Sequence, residues 1–382
     1  MTGPPASRRF GTRAVHAGGD ITPGTGDVTP PVHLTSTFDR RAQEDPRYFY
    51  SRGENPTTEA VEAAIAQLEG ARSAVAFSSG QAAGMAALSL VPPDGRVVAS
   101  DDVYGGTHSL FRLFGRYGVE VVRADLSDPA TAREVLARPA DLVWLETPTN
   151  PLLKITDIAA VAERAHAGGA RVLVDNTLVG PSVQQPLHHG ADLVLHSTTK
   201  VISGHLDVLG GALVTEDESV LDALRQYRTT AGNVPGAWDS FLVHRGLRTL
   251  EVRAERQAAN ARAMAEALRA RPEVERVRYP DPADAAPGSP LRRQMSSGGG
   301  VVTFEHRGDT AVLLERVELF ACAVSLGGVR SLIECPAWMS HRPAPRAALA
   351  ELGITERMVR LSAGIEDPAD LVADLVAALR GD

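Results

Sequence analysis

Two stretches near the middle of the chain decide the fold: RVLVDNT at residues 171–177 and ADLVLHSTTK at residues 191–200. Each contains a short run of Val and Leu and then ends in polar residues. An unbroken apolar run of this length is typical of a strand that is buried on both faces of a parallel sheet. Similar runs alternate with amphipathic stretches from about residue 57 onward. The alternation predicts an α/β fold, with a mostly parallel sheet covered by helices on both faces.

Chemically distinctive side chains follow these two apolar runs. The first run leads to Asp175, and the second leads to Ser197, Thr199 and Lys200. Ligands bind open α/β sheets at the carboxyl ends of the strands, so we expect these side chains at one ligand-binding edge. A third stretch, FSSGQAAG (77–84), ends a strand in small residues and opens a helix. The free N–H groups of that first turn suit a phosphate.

Lys200 is unusual for this chain. Of 39 Lys and Arg residues, only Lys154 and Lys200 are lysines. Arg stays protonated, whereas Lys can lose its proton and attack a carbonyl. The residues alone leave two alternatives open, a surface cation for Lys200 and a helix N-cap for Asp175. A lysine for a Schiff base, an acid for a ring nitrogen and a phosphate cradle together match the needs of pyridoxal phosphate, which we predict as the cofactor.

Composition argues against several other classes of protein. A net charge of −8 without a basic tract argues against nucleic acid as a partner. No run of about 18 apolar residues occurs, and the opening MTGPPASRRFGTRAVHAGGD has no signal-peptide core, so neither a membrane nor export is expected. Cys322 and Cys335 form no CxxC pair, and the histidines show no metal-ligand spacing. These features predict a cytoplasmic protein without a bound metal.

Composition and hydrophobic periodicity divide the chain into three predicted segments. Residues 1–45 are rich in Gly, Pro and Thr and predict an extended N-terminal arm. Residues 46–240 form the predicted cofactor-binding α/β domain, whose first helix, TTEAVEAAIAQLEG, has its N-cap at one of its two leading threonines and ends at Gly70. Residues 241–382 begin with a long helical region, continue into strands, and predict a smaller α+β C-terminal domain.

Longer stretches resemble a known family. They are YSRGENPT (50–57), SSGQAAG (78–84), YGGTHSLF (104–111), ETPTNPLL (146–153), VDNT (174–177), ADLVLHSTTK (191–200), SGHLDV (203–208), RGLRTL (245–250), VSLGGVRSLI (324–333) and VRLSAGIED (359–367). From about Thr12 to its C-terminus the chain resembles the Cys/Met-metabolism family of pyridoxal-phosphate enzymes, which includes cystathionine γ-synthase, cystathionine γ-lyase and methionine γ-lyase. The resemblance implies the fold type I of pyridoxal-phosphate transferases, and a homotetramer of two tight dimers with shared active sites.

The resemblance also implies a role for each matching residue. Lys200 would hold the cofactor and act in catalysis, while Tyr104 would stack on the ring and transfer protons. The substrate carboxylate would be held by Ser325 and Arg360, since Arg suits bidentate contact with a carboxylate. Without the resemblance, Tyr104 would be a loop aromatic and Arg360 an ion-pair partner. The other implied cofactor contacts are, for the phosphate, Tyr50 and Arg52 from the neighbouring subunit with Ser79, Gly80, Gln81, Ser197 and Thr199, and, for the ring, Asn150, Asp175 and Thr177.

The residue before Ser325 bears on the reaction. Many γ-synthases and γ-lyases of cystathionine have Glu at this position, which would meet the distal ammonium of cystathionine. Here the residue is Val324, which suits an uncharged thioether. The stretch AVSLG resembles methionine γ-lyases, although Gly106 replaces the Cys usual in bacterial ones and GNVPGAWDSF (232–241) also departs from theirs.

We therefore expect a small amino-acid substrate and γ-elimination by a methionine γ-lyase. Cystathionine γ-lyase, cystathionine γ-synthase and O-acylhomoserine sulfhydrylase are the alternatives. Two other classes are disfavoured. A scaffold without turnover would not keep Tyr104, Asp175, Lys200 and Arg360 together, and a nicotinamide-dependent dehydrogenase would have a GxGxxG stretch at its first helix.

Overall fold

The computed structural model describes residues 8–19, 25–39, 41, 47–342 and 346–380. Within these residues the chain forms two sheets. The larger sheet has the strand order β1-β7-β6-β5-β4-β2-β3, its strands being β1 (Ser73–Phe77), β2 (Arg96–Ser100), β3 (Glu120–Ala124), β4 (Leu142–Glu146), β5 (Arg171–Asp175), β6 (Leu193–His196) and β7 (Gly211–Thr215). Strand β7 is antiparallel to both of its neighbours, and the other pairings are parallel. The predicted mostly parallel sheet is confirmed.

Helices cover both faces of the larger sheet. The reason is visible in β4, where Leu142 and Trp144 pack into one core while Val143 and Leu145 pack into another. Because successive side chains point to opposite faces, an unbroken apolar strand needs a helical layer on each side. The helices of this region are α2 (Pro56–Glu69), α3 (Gly80–Leu88), α4 (Gly105–Gly115), α5 (Pro129–Val135), α6 (Ile158–Ala167) and α7 (Glu218–Ala231).

The smaller sheet lies in the C-terminal part and is mainly antiparallel. Its order is β10-β11-β12-β9-β8, with only β10 and β11 parallel. Its elements agree with the predicted α+β character: α8 (Ala237–Leu247), α9 (Leu250–Arg269), β8 (Val274–Arg278), α10 (Pro290–Gln294), β9 (Val301–His306), α11 (Thr310–Arg316), β10 (Ala321–Cys322), β11 (Leu332–Glu334), α12 (Arg346–Glu351), β12 (Met358–Ser362) and α13 (Pro368–Arg380).

The N-terminal segment differs from the expected extended arm. Residues 10–16 form a helix, α1 (Phe10–His16). Its Ala14 is buried in the core beside α2, and the guanidinium of Arg13 donates a hydrogen bond to the carbonyl of Gln67. Tertiary packing against α2 therefore sets this helix, which the weak local periodicity did not indicate. Parts of the predicted arm, residues 1–7, 20–24, 40 and 42–45, lie outside the described residues.

Some other element boundaries also differ from those predicted from the sequence. Helix α2 ends at Gly70, as predicted, but its N-cap is Asn55, whose side chain accepts a hydrogen bond from the N–H of Thr57. Pro56 occupies the first helical position, where its fixed φ is favourable. The helix therefore begins just before the two threonines that the sequence predicted as its N-cap. The long helical region breaks after Leu247 into α8 and α9. The predicted domain boundary at 240/241 falls inside α8 and stays a prediction. No helix in the described part of the chain has the length and apolar character that a bilayer crossing requires.

Candidate active site

A cavity of about 430 Å³ lies at the carboxyl ends of β4, β5 and β6, beside the start of α3. Parallel strands bring residues that are distant in sequence to one edge, so the strand-end residues meet there. The cavity is lined by thirteen of the fifteen predicted site residues: Ser79, Gly80, Gln81, Tyr104, Asn150, Asp175, Thr177, Ser197, Thr199, Lys200, Val324, Ser325 and Arg360.

Tyr50 and Arg52 do not line this cavity. They line a second, more open cavity of about 650 Å³ together with Arg47 and Arg225. The guanidinium of Arg52 lies over the ring of Tyr50 and donates a hydrogen bond to the carbonyl of Thr229 at 2.7 Å. Their role at a neighbouring subunit's phosphate stays a prediction.

Lys200 lies in a tight turn that follows β6. Its Nζ donates a hydrogen bond to the hydroxyl of Ser325 at 2.7 Å. Burial, with a further contribution from the charge of Arg360, lowers the pKa of Lys200 to about 8, although Glu334 opposes the shift. A buried ammonium loses hydration, so the neutral amine becomes accessible near physiological pH. This amine can therefore act as a nucleophile or a base.

Two carboxyl groups lie side by side at the inner end of the cavity. Glu146 and Asp175 are direct neighbours across β4 and β5. Burial raises the pKa of both, and for Glu146 the nearby Asp175 raises the pKa further. Asp175 accepts a hydrogen bond from the N–H of Thr177, and Glu146 accepts one from the N–H of Tyr104. A protonated pyridine nitrogen against Asp175 would supply the positive charge that this pair lacks, so the acids fit pyridoxal phosphate.

Sequence reasoning missed Glu146, although a signal was present. Glu146 ends the apolar run LVWLE in the same way that Asp175 ends RVLVD. The strand-end rule that selected Asp175 applies equally to it.

The start of α3 provides a cradle of phosphate size. Ser79 is the N-cap of α3, and its hydroxyl accepts a hydrogen bond from the N–H of Ala82. A Cβ placed on Gly80 would stand 2.8 Å from the Cβ of Ser197, so a side chain there would fill the gap. Free N–H groups at a helix start attract an anion, and small residues leave room for one. The hydroxyl of Thr199 instead bonds both the carbonyl and the N–H of Gly210.

Arg360 is fixed on β12 by several partners. Its Nη1 donates to the side-chain oxygen of Asn150 at 2.8 Å, and its Nη2 donates to the carbonyl of Ser325 at 2.8 Å. The same Nη2 lies 2.8 Å from a carboxylate oxygen of Glu334, its cross-strand neighbour on β11. Glu334 also accepts a hydrogen bond from the hydroxyl of Ser340. Sequence reasoning missed Glu334, because only the pairing of β11 with β12 brings it to Arg360, and it missed Ser340, which reaches the site through Glu334.

The outer part of the cavity is apolar and open. Val324 is 52% exposed and lies beside Leu209 and Met339 in the cavity wall. Tyr104, at the start of α4, is 43% exposed. A Cβ on Gly106 would collide with the Tyr104 ring, so this Gly gives the ring its position. Among the described residues, no cluster of His, Cys, Asp and Glu could hold a metal ion.

Fold and site together define a fold type I enzyme that uses pyridoxal phosphate. Residues 11–380 match the family of Cys/Met metabolism PLP-dependent enzymes. The chain belongs to this family, and pyridoxal phosphate is its cofactor. The predicted family, fold class and cofactor are thus confirmed.

Similar proteins carry several names. A cystathionine γ-lyase from Dictyostelium discoideum is 42% identical, with 98% of each chain covered. A cystathionine γ-synthase from Mycobacterium tuberculosis is 44% identical, with 96% of each covered. A solved structure of an enzyme from Micromonospora echinospora, described there as a methionine γ-lyase, has a TM-score of 0.92 and 55% identity over 97% of this chain and 99% of that one. The chain is therefore an enzyme of sulfur amino acid metabolism, of the lyase class.

Proposed function

We propose that this enzyme carries out γ-elimination on L-methionine and releases methanethiol, 2-oxobutanoate and ammonia. The observation that carries the proposal is the apolar outer wall of the cavity at Val324. The acidic side chains among the described lining residues are Glu146 and Asp175, and both lie at the inner end on β4 and β5. The distal ammonium of cystathionine would find no carboxylate at the outer wall, whereas a methyl thioether needs none.

The bound cofactor supplies an electron sink for the charge that develops when the substrate Cα loses its proton. Lys200 removes that proton, because its pKa near 8 leaves an appreciable share of neutral amine and Ser325 holds Nζ in place. Arg360 binds the substrate carboxylate and orients the Cα proton toward Lys200. Asp175 balances the positive charge at the cofactor's ring nitrogen.

Tyr104 completes the set of acids and bases. Its position at the cavity wall suits proton transfer at the substrate amine and at the departing sulfur. In γ-elimination a second proton is removed from Cβ, a Cβ–Cγ double bond forms as the Cγ–S bond breaks, and the sulfur takes a proton. Water later releases the nitrogen as ammonia. The overall balance is one methionine and one water to one thiol, one 2-oxo acid and one ammonia.

A specific observation favours a second candidate, cystathionine γ-lyase. The Dictyostelium relative bears that name, and a second structure of the same Micromonospora echinospora protein, 55% identical with a TM-score of 0.95, describes that protein as a cystathionine γ-lyase instead of a methionine γ-lyase. Cystathionine γ-synthase and O-acylhomoserine sulfhydrylase remain alternatives on the same chemistry, with a thiol or sulfide entering at Cγ.

Product assays decide among these candidates. We expect 2-oxobutanoate and methanethiol from L-methionine, with a higher kcat/KM than L-cystathionine or O-acetylhomoserine plus sulfide gives. Consumption of the O-acetylhomoserine pair alone contradicts the proposal.

Val324→Glu tests the apolar outer wall directly. The new carboxylate should raise kcat/KM for cystathionine relative to methionine by about fivefold, as roughly 1 kcal/mol from a partly exposed ion pair would do. Val324→Leu, which keeps the wall apolar, is the matched control and should leave the ratio close to that of the wild type. An unchanged ratio in Val324→Glu would remove this support.

We also propose the homotetramer of two tight dimers, with shared active sites. The separation of Tyr50 and Arg52 from the Lys200 cavity supports the sharing of sites, because neither residue lines that cavity in its own chain.

A further inference from the structure

The turn that carries Lys200 is compact and internally bonded. The N–H of Gly204 donates to the carbonyl of Lys200 at 2.8 Å, and the N–H of Ser203 donates to the carbonyl of Thr198 at 3.0 Å. The carbonyls of Val201 and Ile202 take no part in these bonds. Because Val201 and Ile202 are buried, their carbonyls need hydrogen-bond donors from elsewhere.

Arg253, on α9, binds those remaining carbonyls. Its Nη1 donates to the carbonyl of Val201 at 2.7 Å, and its Nη2 donates to the carbonyl of Ile202 at 3.0 Å. Nη2 also donates to the carbonyl of Gly246 at 2.7 Å, at the end of α8. Three backbone carbonyls from two separate segments thus meet on one guanidinium.

The charge of Arg253 makes this arrangement unusual. The side chain is only 3% exposed. None of the ion pairs among the described residues includes Arg253. Burying a cation without a carboxylate is costly unless dipoles replace its hydration. The carbonyls do so here, so removing the guanidinium leaves them unpaired.

Glycines keep the turn in close contact with its surroundings. Gly204 has φ of +72°, and a Cβ there would collide with Nη1 of Arg253. A Cβ on Gly246 would collide with the carbonyl of Ser203. A Cβ on Gly327 would stand 2.7 Å from the backbone N of Val201.

These contacts link Arg253 to the Lys200 amine. Gly327 follows Ser325 by two residues, and Ser325 accepts the hydrogen bond from Nζ of Lys200. The turn is therefore in contact with both Arg253 and the Ser325 segment. A shift of the turn changes the distance between Nζ and the Ser325 hydroxyl.

We propose that Arg253 is a positioning residue for Lys200, which holds the lysine-bearing turn against the Ser325 segment by binding the carbonyls of Val201 and Ile202. The inference rests on the proposed role of Lys200 as the cofactor lysine and does not depend on which sulfur amino acid is the substrate. Lys at position 253 would not replace Arg, because a single ammonium does not span both carbonyls as a planar fork does.

The test uses the holoenzyme of two variants, Arg253→Ala and Arg253→Lys. We expect kcat to fall by about a hundredfold with little change in KM, since displacement of a reacting group by about 1 Å has that effect. The visible absorbance of the bound cofactor should change its pH midpoint, and backbone amides of residues 201–204 should exchange hydrogen faster than those of β5. Ethylguanidinium should partly restore kcat in Arg253→Ala.

Arg256→Ala is the matched control, because Arg256 is an exposed residue on the same helix; it should keep the wild-type kcat and spectrum. If Arg253→Ala does not fold, kcat, the absorbance midpoint and hydrogen exchange are measured on Arg253→Lys. Wild-type kcat and an unchanged absorbance midpoint in the folded variant overturn the inference, as does a lost kcat that ethylguanidinium does not restore in Arg253→Ala. All rates use whichever substrate the wild type consumes, so failure of the methionine proposal is seen separately in the wild type.

Discussion

At the scale of the residue, the environment of Lys200 determines when its amine is neutral. Burial and the charge of Arg360 lower its pKa to about 8, whereas the two aspartates beside Lys154 raise the pKa of that lysine. Because the pKa of Lys200 is lowered, its amine is protonated below pH 8 and becomes neutral as the pH rises through that value. A chain with only two lysines allows both to be followed separately.

We therefore predict two well-separated lysine titrations in the cofactor-free protein. Reductive ¹³C-methylation should give one lysine signal in NMR that titrates near pH 8 and a second that titrates above the ordinary lysine range. Lys200→Arg should remove the first signal and Lys154→Arg the second, which assigns them. Capture of added pyridoxal phosphate should become faster as the pH rises through 8. A Lys200 signal that titrates at the ordinary value of about 10.4 contradicts the prediction.

Sequence reasoning succeeded for the functional side chains that follow strands and therefore lie at one edge of the sheet. Asp175 and Lys200 follow apolar runs, so the strand-end rule alone placed them together. It did not reach Glu334, because that carboxylate meets Arg360 through the pairing of β11 with β12. Nor did it reach Arg253, because a helical pattern does not say which backbone carbonyls a buried guanidinium will bind.

At the scale of the element, the shape of the start of α3 depends on glycines, which have no side chain. Gly80 leaves the space beside Ser197 open, and the strand β7 approaches so closely that a Cβ on Gly211 would collide with the carbonyl of Ser79. The N–H of Ala82 in this first turn bonds the Ser79 hydroxyl, whereas the N–H groups of Gly80 and Gln81 have no hydrogen-bond partner among the described residues. This is the requirement of a phosphate site at a helix start.

Gly80→Ala should weaken cofactor binding without unfolding the protein. The added methyl lies 2.8 Å from Ser197 Cβ, so it narrows the cradle and displaces the phosphate. We expect the Kd for pyridoxal phosphate, measured by titration of the cofactor-free protein, to rise by about tenfold or more, equivalent to roughly 1.4 kcal/mol.

Gly115→Ala is the matched control for this substitution. Gly115 ends α4, and a Cβ there meets nothing within 4 Å. Exchanging a helical Gly for Ala should leave the Kd unchanged and stabilise the fold by about 0.5–1 kcal/mol. Equal Kd values in the two variants would show that the cradle at Gly80 is not the phosphate site.

The elements themselves were largely predictable because the larger sheet is buried on both faces. Unbroken apolar runs marked its strands, and Gly70 marked the end of α2. Helix α1 was missed because its stability comes from packing on α2 rather than from local periodicity. The break between α8 and α9 was not predicted, because RGLRTL contains no Pro to signal it. Gly246, near the end of α8, lies so close to Ser203 that a Cβ there would collide with the Ser203 carbonyl.

At the scale of the whole molecule, the two cavities suggest that one chain does not make a complete site. Lys200 and Asp175 line one cavity, and Tyr50 and Arg52 line the other. Arg47 and Arg225 line the same cavity as Arg52, but each is paired with a carboxylate, Glu59 and Asp222 respectively. In the proposed dimer, the Arg52 region of each subunit lies at the Lys200 cavity of its neighbour.

Subunit mixing tests this arrangement. Lys200→Ala and Arg52→Ala should each have little activity alone. A mixed dimer would hold one intact site, in which Lys200 of one chain faces Arg52 of its neighbour. Random reassortment should therefore restore about a quarter of the wild-type kcat per subunit, since half the dimers are mixed and each has one working site of two.

The control mixes Lys200→Ala with Asp175→Asn. Both residues belong to the same cavity of one chain, so each site in the mixed dimer lacks one of them and no activity should return. No recovery in the first mixture, after exchange is verified by mass spectrometry, would mean that Arg52 serves its own subunit. Recovery in the control would mean that Lys200 and Asp175 do not act together in the cavity of one chain. Recovery in the first mixture alone assigns Arg52 to the neighbour's site, because no other pairing of the two defective chains assembles Lys200, Asp175 and Arg52 around one cofactor.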